Sequence, residues 1–296
     1  MANLSVGFIG LGNMGTPMVE RLIQHEFKVA VWGRTEAKLA KWRDRDVGIV
    51  NTPQELATLC DVVVMCVTDT AAVESVVFGD NGIAQANKAT IVIDHSTIHP
   101  VTTREFAERL RELNGMDWLD IPVSGGPIGA ENGALIGMAG GPQKILDTAM
   151  PILSTYAKQI TRMGDVGAGQ ATKVVNQMVI GGNIAVLAEA LNYADNVGVN
   201  AAQIPDALTG GWADSSVLQV HGRRMTSADY SSEVDAKIML KDIDIALDMG
   251  ARTTSRMPVT SLVRKSYNKL IESGHADKGQ SGLMWLFKQR PLEGDV

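Results

Sequence analysis

The sequence predicts an α/β domain, a parallel sheet covered by helices on both faces, followed by an all-α domain that opens on one long helix. Three observations lead there. Strand-like and helix-like segments alternate through the first half of the chain. A glycine-rich turn joins the first strand to the first helix, and beyond Gly169 strand patterns stop while helical ones run on to Lys288. The 296 residues suit two domains. Lys plus Arg number 27 against 33 Asp plus Glu, a net charge of −6 with no basic block, which argues against a nucleic-acid partner. Cys60 and Cys66 are the two cysteines, too few for a disulfide framework or a thiolate-built zinc site.

Leu4 to Ile9 is a short apolar run that reads as the first strand, and Met14 to His25 has helical spacing at Met18, Leu22 and Ile23. Lys28 to Trp32 is a second strand and Thr35 to Trp42 a helix. Thr52-Pro53-Gln54-Glu55 carries a capping-box pattern with proline at the first helical position. Asp61 to Val67, rich in Val, Met and Cys, has the continuous apolar run of a strand buried on both faces. Ala71 to Phe78 follows as a helix, Thr90 to Asp94 as a strand and Thr102 to Leu113 as an amphipathic helix. Trp118 to Ile121, Ala134 to Ala139 and Gln159 to Met163 complete the strands.

The composition shift near Val166-Gly167 sets the expected domains at 1–165 and 166–296. Ala171 to Val199 reads as one long interdomain helix, after which Pro205, Pro258, Pro291 and the Gly210-Gly211 pair separate shorter ones. Lys173, Asn176, Gln177, Glu189, Asn192 and Asp195 interrupt its apolar run, so it is expected in a soluble fold with no membrane partner. Met1 to Ser5 carries no basic region, so no targeting segment is expected and the expected location is the cytoplasm. The apolar surface of this helix exceeds what one small domain can cover, and a homodimer or homotetramer is expected.

Gly10-Leu11-Gly12-Asn13-Met14-Gly15 is G-x-G-x-x-G between a strand and a helix. The first glycine permits the tight turn, the second lets the backbone approach a pyrophosphate, and the third lets helix pack on strand. Free N–H groups at the helix start then face the anion. This is a dinucleotide site in a Rossmann, doubly wound sheet. An acidic residue ~20 residues further on normally holds the ribose hydroxyls of NAD. Gly33, Arg34 and Thr35 stand there instead. A guanidinium grips a 2′-phosphate, so NADP is the preferred cofactor and NAD the alternative.

Asp120-Ile121-Pro122-Val123-Ser124-Gly125-Gly126 sets a hydroxyl and consecutive N–H groups after a strand, a nest suited to a carboxylate, although a plain turn uses the same glycines. Gly167-Ala168-Gly169-Gln170-Ala171-Thr172-Lys173 puts a lysine near the start of the long helix, with Asn176 and Gln177 on its face. The helix dipole there favours the neutral amine and eases proton exchange. A solvated surface lysine is the plainer reading.

These segments resemble the β-hydroxyacid dehydrogenase family, which includes 3-hydroxyisobutyrate and 6-phosphogluconate dehydrogenases. The resemblance runs from Val6-Gly7-Phe8-Ile9-Gly10-Leu11-Gly12 to the helices after Lys241. Asp94-His95-Ser96-Thr97 looks like the family's D-x-S-T segment beside the nicotinamide, and the Ser124 segment like its D-x-P-V-S-G-G substrate signature. The Lys173 segment looks like its G-x-G-x-x-x-K catalytic signature, and Lys241-Asp242 like its distal K-D pair. The resemblance implies an oxidoreductase that moves a hydride between NAD(P) and a small carboxylate-bearing substrate, with no metal. Lys173 would be its general acid and base. Ser124, Gly125 and Gly126 would bind the carboxylate, with Thr97 assisting. Asn176 and Gln177 would hold the reacting oxygen, and Lys241 and Asp242 would complete the substrate side. Gly10, Leu11, Gly12, Asn13, Met14, Gly15, Arg34, Thr35, Val67, Thr68, Thr97 and Lys241 would contact the cofactor.

Many members carry asparagine where this chain has Gln177. Asn176-Gln177, with Ala207 to Ser216, instead looks like the tartronate semialdehyde reductase branch, so a carboxylated semialdehyde is the expected substrate. The family's aromatic residue eight positions before Asp242 is Val234 here, followed by Asp235. That keeps open a β-hydroxy acid such as 3-hydroxyisobutyrate, or a serine- or threonine-type amino acid whose ammonium Asp235 would receive. Asp235 reads equally well as a surface charge. The presence of Lys173 argues against a non-catalytic cofactor-binding module, and the intact Ser124 and Lys173 segments argue against an imine reductase. Cys60 and Cys66 are expected in the core, and His95 within reach of the cofactor. His99, His221 and His275 are expected as capping or surface groups, and Trp212 either along a cleft or packed between helices.

Overall fold

A computed structural model describes residues 4–88, 90–230 and 235–289. The chain divides into two compact units, Met1–Lys173 and Val174–Val296. The first runs β1 (Val6–Ile9), α1 (Gly15–Gln24), β2 (Val29–Trp32), α2 (Glu36–Leu39), β3 (Gly48–Ile49), α3 (Pro53–Leu59), β4 (Val62–Met65) and α4 (Thr70–Phe78). It continues through β5 (Ile91–Asp94), α5 (Pro100–Asn114), β6 (Asp117–Asp120), β7 (Val123–Ser124), α6 (Gly126–Glu131), β8 (Leu135–Gly140), α7 (Gln143–Leu153) and β9 (Ala157–Gly164). It then enters α8 (Ala168–Asn196).

The strands lie in the order β3-β2-β1-β4-β5-β6-β8-β7, with β9 on β8. β1 pairs in parallel with both β2 and β4, Val6 standing opposite Val29 and Val62. This is the Rossmann winding: the order reverses at β1, which opens a crevice at the carboxyl ends of β1 and β4. Alternate residues of one strand feed opposite cores. Val62 and Val64 join Phe8, Met18, Leu22 and Ile152, whereas Val63 and Met65 join Leu56, Val77, Val92 and Leu110. Each such side chain contributes roughly 1.5–3 kcal/mol by leaving water, which is why β4 reads as an unbroken apolar run. Thr52 Oγ1 accepts from the Glu55 N–H at 3.0 Å, but Glu55 Oε2 accepts from the Asn51 N–H, one residue earlier than a capping box would have it.

Every pairing from β3 to β6 is parallel; β8 then runs antiparallel to β6 and β7 and parallel to β9. The sequence pattern does not reveal β3, β7, α6 or α7. Two-residue strands carry no periodicity, α6 starts among glycines, and α7 has Pro142 at its N-cap and Pro151 inside it. The compact units divide inside α8, later than the composition shift at 165/166. The reason is packing: a side chain on Gly169 would lie 2.3 Å from the Asp120 carbonyl oxygen and 2.4 Å from that of Met138, so the first turns of α8 belong to the sheet.

The second unit holds the rest of α8 with α9 (Ile204–Ala207), α10 (Arg223–Ser227), α11 (Ala236–Arg252), α12 (Pro258–Glu272) and α13 (Leu283–Lys288). Its described residues contain no strand. Ile184, Ala188 and Leu191 on α8 pack with Met239, Ile243, Tyr267, Leu270 and Leu283. By length and composition alone α8 is apolar enough to cross a membrane. One of its faces nevertheless lines this helical core, and Asn192 Nδ2 donates to the Phe287 carbonyl at 3.1 Å. Val175, Val179, Val186 and Tyr193 are exposed on another face.

Candidate functional site

The glycine turn divides its labour as the three positions require. Gly10 adopts φ +101°, and a side chain there would lie 2.1 Å from the Cys66 carbonyl oxygen. A side chain on Gly15 would meet the Gly10 carbonyl oxygen at 2.0 Å, so α1 can close on β1 only with glycine. Nothing lies within 4 Å of where a Gly12 side chain would project. That open space suits the backbone approach of a pyrophosphate, so the turn fits a dinucleotide. Met14 caps α1 without a side-chain bond, Leu11 is buried and Asn13 is exposed.

The cleft over this turn is lined by Gly10, Leu11 and Gly12, by Gly33, Arg34, Thr35 and Lys38 after β2, and by Cys66, Val67 and Thr68 after β4. No carboxylate is among the described residues lining it. Lys38, on α2, is a lining residue that the sequence motifs do not single out; it joins Arg34 and Thr35, which precede the helix. Cys66 lines the cleft and is not solely a core residue, and burial pushes its thiol up to about 12. The Val67 N–H donates to Ser96 Oγ at 2.9 Å, which ties this wall to the Asp94–Thr97 segment. Thr97 and His95 are not among the lining residues. The His95 ring instead turns to the Ile121 carbonyl and Tyr156.

Asp120, fully buried, anchors the start of α8. Its Oδ1 accepts from the Gly167 N–H at 2.7 Å and its Oδ2 from the Gln170 N–H at 2.8 Å. Burial raises this carboxyl to about 6, against the pull of those N–H groups. Gln170 Nε2 donates to the Ser96 carbonyl at 2.7 Å, and its Oε1 accepts from the Ile98 N–H at 3.2 Å. Asp120 and Gln170 thereby bind β6, the Asp94–Thr97 segment and α8 into one frame. Neither role is visible in spacing, because the partners lie far apart along the chain.

On that frame Lys173 is buried, and its Nζ donates to the Val123 carbonyl at 2.8 Å. It is not a solvated surface lysine. Ser124 follows Val123 on β7, and Gly125 and Gly126 take positive φ values of 126° and 62° as the chain turns into α6. The first unit thus brings together a lysine amine, a hydroxyl and a glycine turn.

The second unit gathers the other candidates. Asn176 Nδ2 donates to Gln177 Oε1 at 2.8 Å, and Gln177 Nε2 donates to Asp242 Oδ2 at 2.6 Å. Lys241 Nζ lies 3.2 Å from Asp242 Oδ1. Asp235 is exposed, and its carboxylate caps α11 by accepting from the Lys237 N–H at 2.8 Å. Val234 lies outside the described residues. His99 caps α5 through Nδ1, whereas His221 bonds Ser281 and His275 stacks edge-on with Trp285. Trp212 is fully exposed, not packed between helices.

A sequence profile described as the NAD binding domain of 6-phosphogluconate dehydrogenase matches residues 5–164. One described as NAD-binding of NADP-dependent 3-hydroxyisobutyrate dehydrogenase matches residues 167–287. The chain is 35% identical over 286 residues to the 2-hydroxy-3-oxopropionate reductase of Escherichia coli strain K12, covering 95% of this chain and 96% of that protein. Its structure is similar to that of a Mycobacterium tuberculosis 3-hydroxyisobutyrate dehydrogenase with L-serine, with TM-score 0.86 and 29% identity over 97% of this chain and 99% of that one. A 3-hydroxyisobutyrate dehydrogenase from Salmonella typhimurium gives TM-score 0.87 at 25% identity, over 96% and 100% of the two chains.

Proposed function

This chain belongs to the β-hydroxyacid dehydrogenase family of NAD(P)-dependent oxidoreductases, and from that premise we propose that it is an NADP-preferring reductase of a small carboxylated semialdehyde, of the tartronate semialdehyde to glycerate type. The observation that carries the reading is the buried Lys173 ammonium held at Val123, one residue ahead of Ser124. When bound, the nicotinamide supplies the hydride. Lys173 gives its proton to the carbonyl oxygen as that oxygen becomes an alkoxide, and removes it in the reverse direction. The Ser124 hydroxyl and the N–H groups of Gly125 and Gly126 hold the carboxylate, and Thr97 assists. Asn176 and Gln177, oriented by Asp242 and Lys241, bind the reacting oxygen. Likeness to the Escherichia coli reductase and the Asn176-Gln177 pair support this substrate class. Arg34, Thr35 and Lys38, in a cleft with no lining carboxylate among the described residues, support the NADP preference.

A second reading, oxidation of a serine-type hydroxy amino acid or of 3-hydroxyisobutyrate, draws support from the relative solved with L-serine. Against it stands Asp235, the residue that would receive an ammonium, whose Oδ1 caps α11 through the Lys237 N–H. Steady-state rates with NADPH and NADH across semialdehydes, hydroxy acids and hydroxy amino acids test the two. Slow tartronate semialdehyde reduction beside fast serine oxidation would reverse the choice. The same proposal includes a cytoplasmic location, tested by fractionation. It also includes a homodimer or homotetramer that covers Val175, Val179 and Val186, tested by solution mass.

A further inference from the structure

His95 follows β5 as a buried ring with two partners. Its Nδ1 lies 2.6 Å from the Ile121 carbonyl oxygen and its Nε2 3.0 Å from Tyr156 Oη. A carbonyl oxygen only accepts, so Nδ1 carries the proton. In the neutral ring Nε2 is then the acceptor and the Tyr156 hydroxyl the donor. Burial supports this state, pushing His95 down to about 4 and the Tyr156 phenol above its ordinary range. The carbonyl so held is the first of three in a row. Pro122 accepts from the Met138 N–H at 3.1 Å, and Val123 accepts from Lys173 Nζ at 2.8 Å. Three successive carbonyls thus face three donors from separate elements, with the imidazole at one end and the ammonium at the other. Pro122, lacking an N–H, adds no restraint of its own on the donor side.

We infer that His95 is a positioning residue for Lys173: its Nδ1–H imidazole, fixed by Tyr156, locks the Ile121–Val123 backbone so that the Val123 carbonyl stays aimed at the lysine ammonium and Ser124 keeps its place beside it. This rests on the reading of Lys173 as proton donor.

The test compares His95→Leu, His95→Asn, Tyr156→Phe and Lys173→Ala in the full chain with NADPH and tartronate semialdehyde, or with NADP and 3-hydroxyisobutyrate if that pair turns over faster. His95→Leu is expected to lower kcat about tenfold or more while the NADPH Kd stays within about twofold. His95→Asn, which keeps a donor for Ile121, is expected to recover most of the loss. In histidine labelled with nitrogen-15, His95 is expected as a single neutral tautomer protonated on Nδ1, and to stay so in Tyr156→Phe because the Ile121 carbonyl still requires a donor. Loss of the Nε2 partner that fixes the ring is expected to lower kcat in Tyr156→Phe in the same direction as in His95→Leu. Wild-type kcat in His95→Leu, or an Nε2-protonated ring, overturns the inference. If His95→Leu does not fold, the tautomer measurement and Tyr156→Phe decide alone. Lys173→Ala separates the layers: turnover retained there sinks the reading of Lys173 and this inference together. An inactive Lys173→Ala beside an unimpaired His95→Leu sinks only the positioning role.

Discussion

Lys173 Nζ and the carbonyl oxygen of Val123 lie 2.8 Å apart, so the candidate proton donor is tied to the backbone that immediately precedes Ser124. Lys173→Ala removes the donor and leaves the cofactor turn untouched. Turnover should fall by about 10²–10⁴, the range of a lost general acid, while NADPH binding followed by fluorescence persists. Turnover within a few-fold of the parent would mean that another group supplies the proton.

Arg34 and Lys38 line a cleft that has no carboxylate among the described residues lining it. Arg34→Ala should cost about 1.5–3 kcal/mol of NADPH binding, the worth of a hydrogen bond to a charged group. NADH should bind as before, and Lys38→Ala should give a smaller loss of the same sign. Equal losses for both cofactors would assign Arg34 to the adenine or to the fold.

The glycine turn separates two kinds of damage. Gly12→Ala meets open space, so urea unfolding should shift by less than about 0.5 kcal/mol. NADPH binding should nevertheless weaken about tenfold or more, because the new methyl occupies the approach to the pyrophosphate. Gly15→Ala should cost about 1–3 kcal/mol of stability before any cofactor is added. A Gly12→Ala protein with unaltered NADPH affinity would remove the pyrophosphate from this turn.

Asp120 gives a pH signature. Its folded value, about 6, stands above its ordinary 3.8, so the folded chain holds this proton more tightly than the unfolded one. Its contribution to stability is therefore full below about pH 4 and is lost as the pH rises through about 6. Asp120→Asn should erase that decline, read as the difference between parent and variant in urea unfolding from pH 4 to 7. A parallel pair of profiles would show that the carboxyl ionises freely in the fold.

Much of the first unit is legible because burial on both faces leaves a direct mark. β1, β4 and β5 are apolar runs bounded by turns, and the G-x-G-x-x-G glycines have local, steric reasons to be glycine. The order of β1 to β6 follows from repeated strand–helix units. The reversal at β8 does not, since it depends on how that strand pairs across space with β6 and the two-residue β7. Ser124 and Lys173 are readable as motifs, but their contact through Val123 joins residues far apart in the chain. Asp120, Gln170, His95 and Tyr156 are hidden for the same reason: each is one polar residue in an apolar setting, meaningful only through its partner. Lys38 is hidden for a different reason: it shares the cleft with Arg34 only because the chain bends between β2 and α2.

His95 and Asp120, both buried near the start of the Lys173 helix, have opposite proton habits. Around pH 5 an unfolded chain carries a proton on the imidazole and none on the carboxylate, going by their ordinary values of 6.5 and 3.8. The folded values, about 4 and about 6, exchange those states. Folding at that pH relocates one proton from a ring to a carboxyl, and these two groups together take up nothing from the solvent and release nothing to it. Between about pH 4 and 6 the two contributions run in opposite directions, so Asp120→Asn removes the decline due to the carboxyl and leaves the rise due to the ring uncompensated.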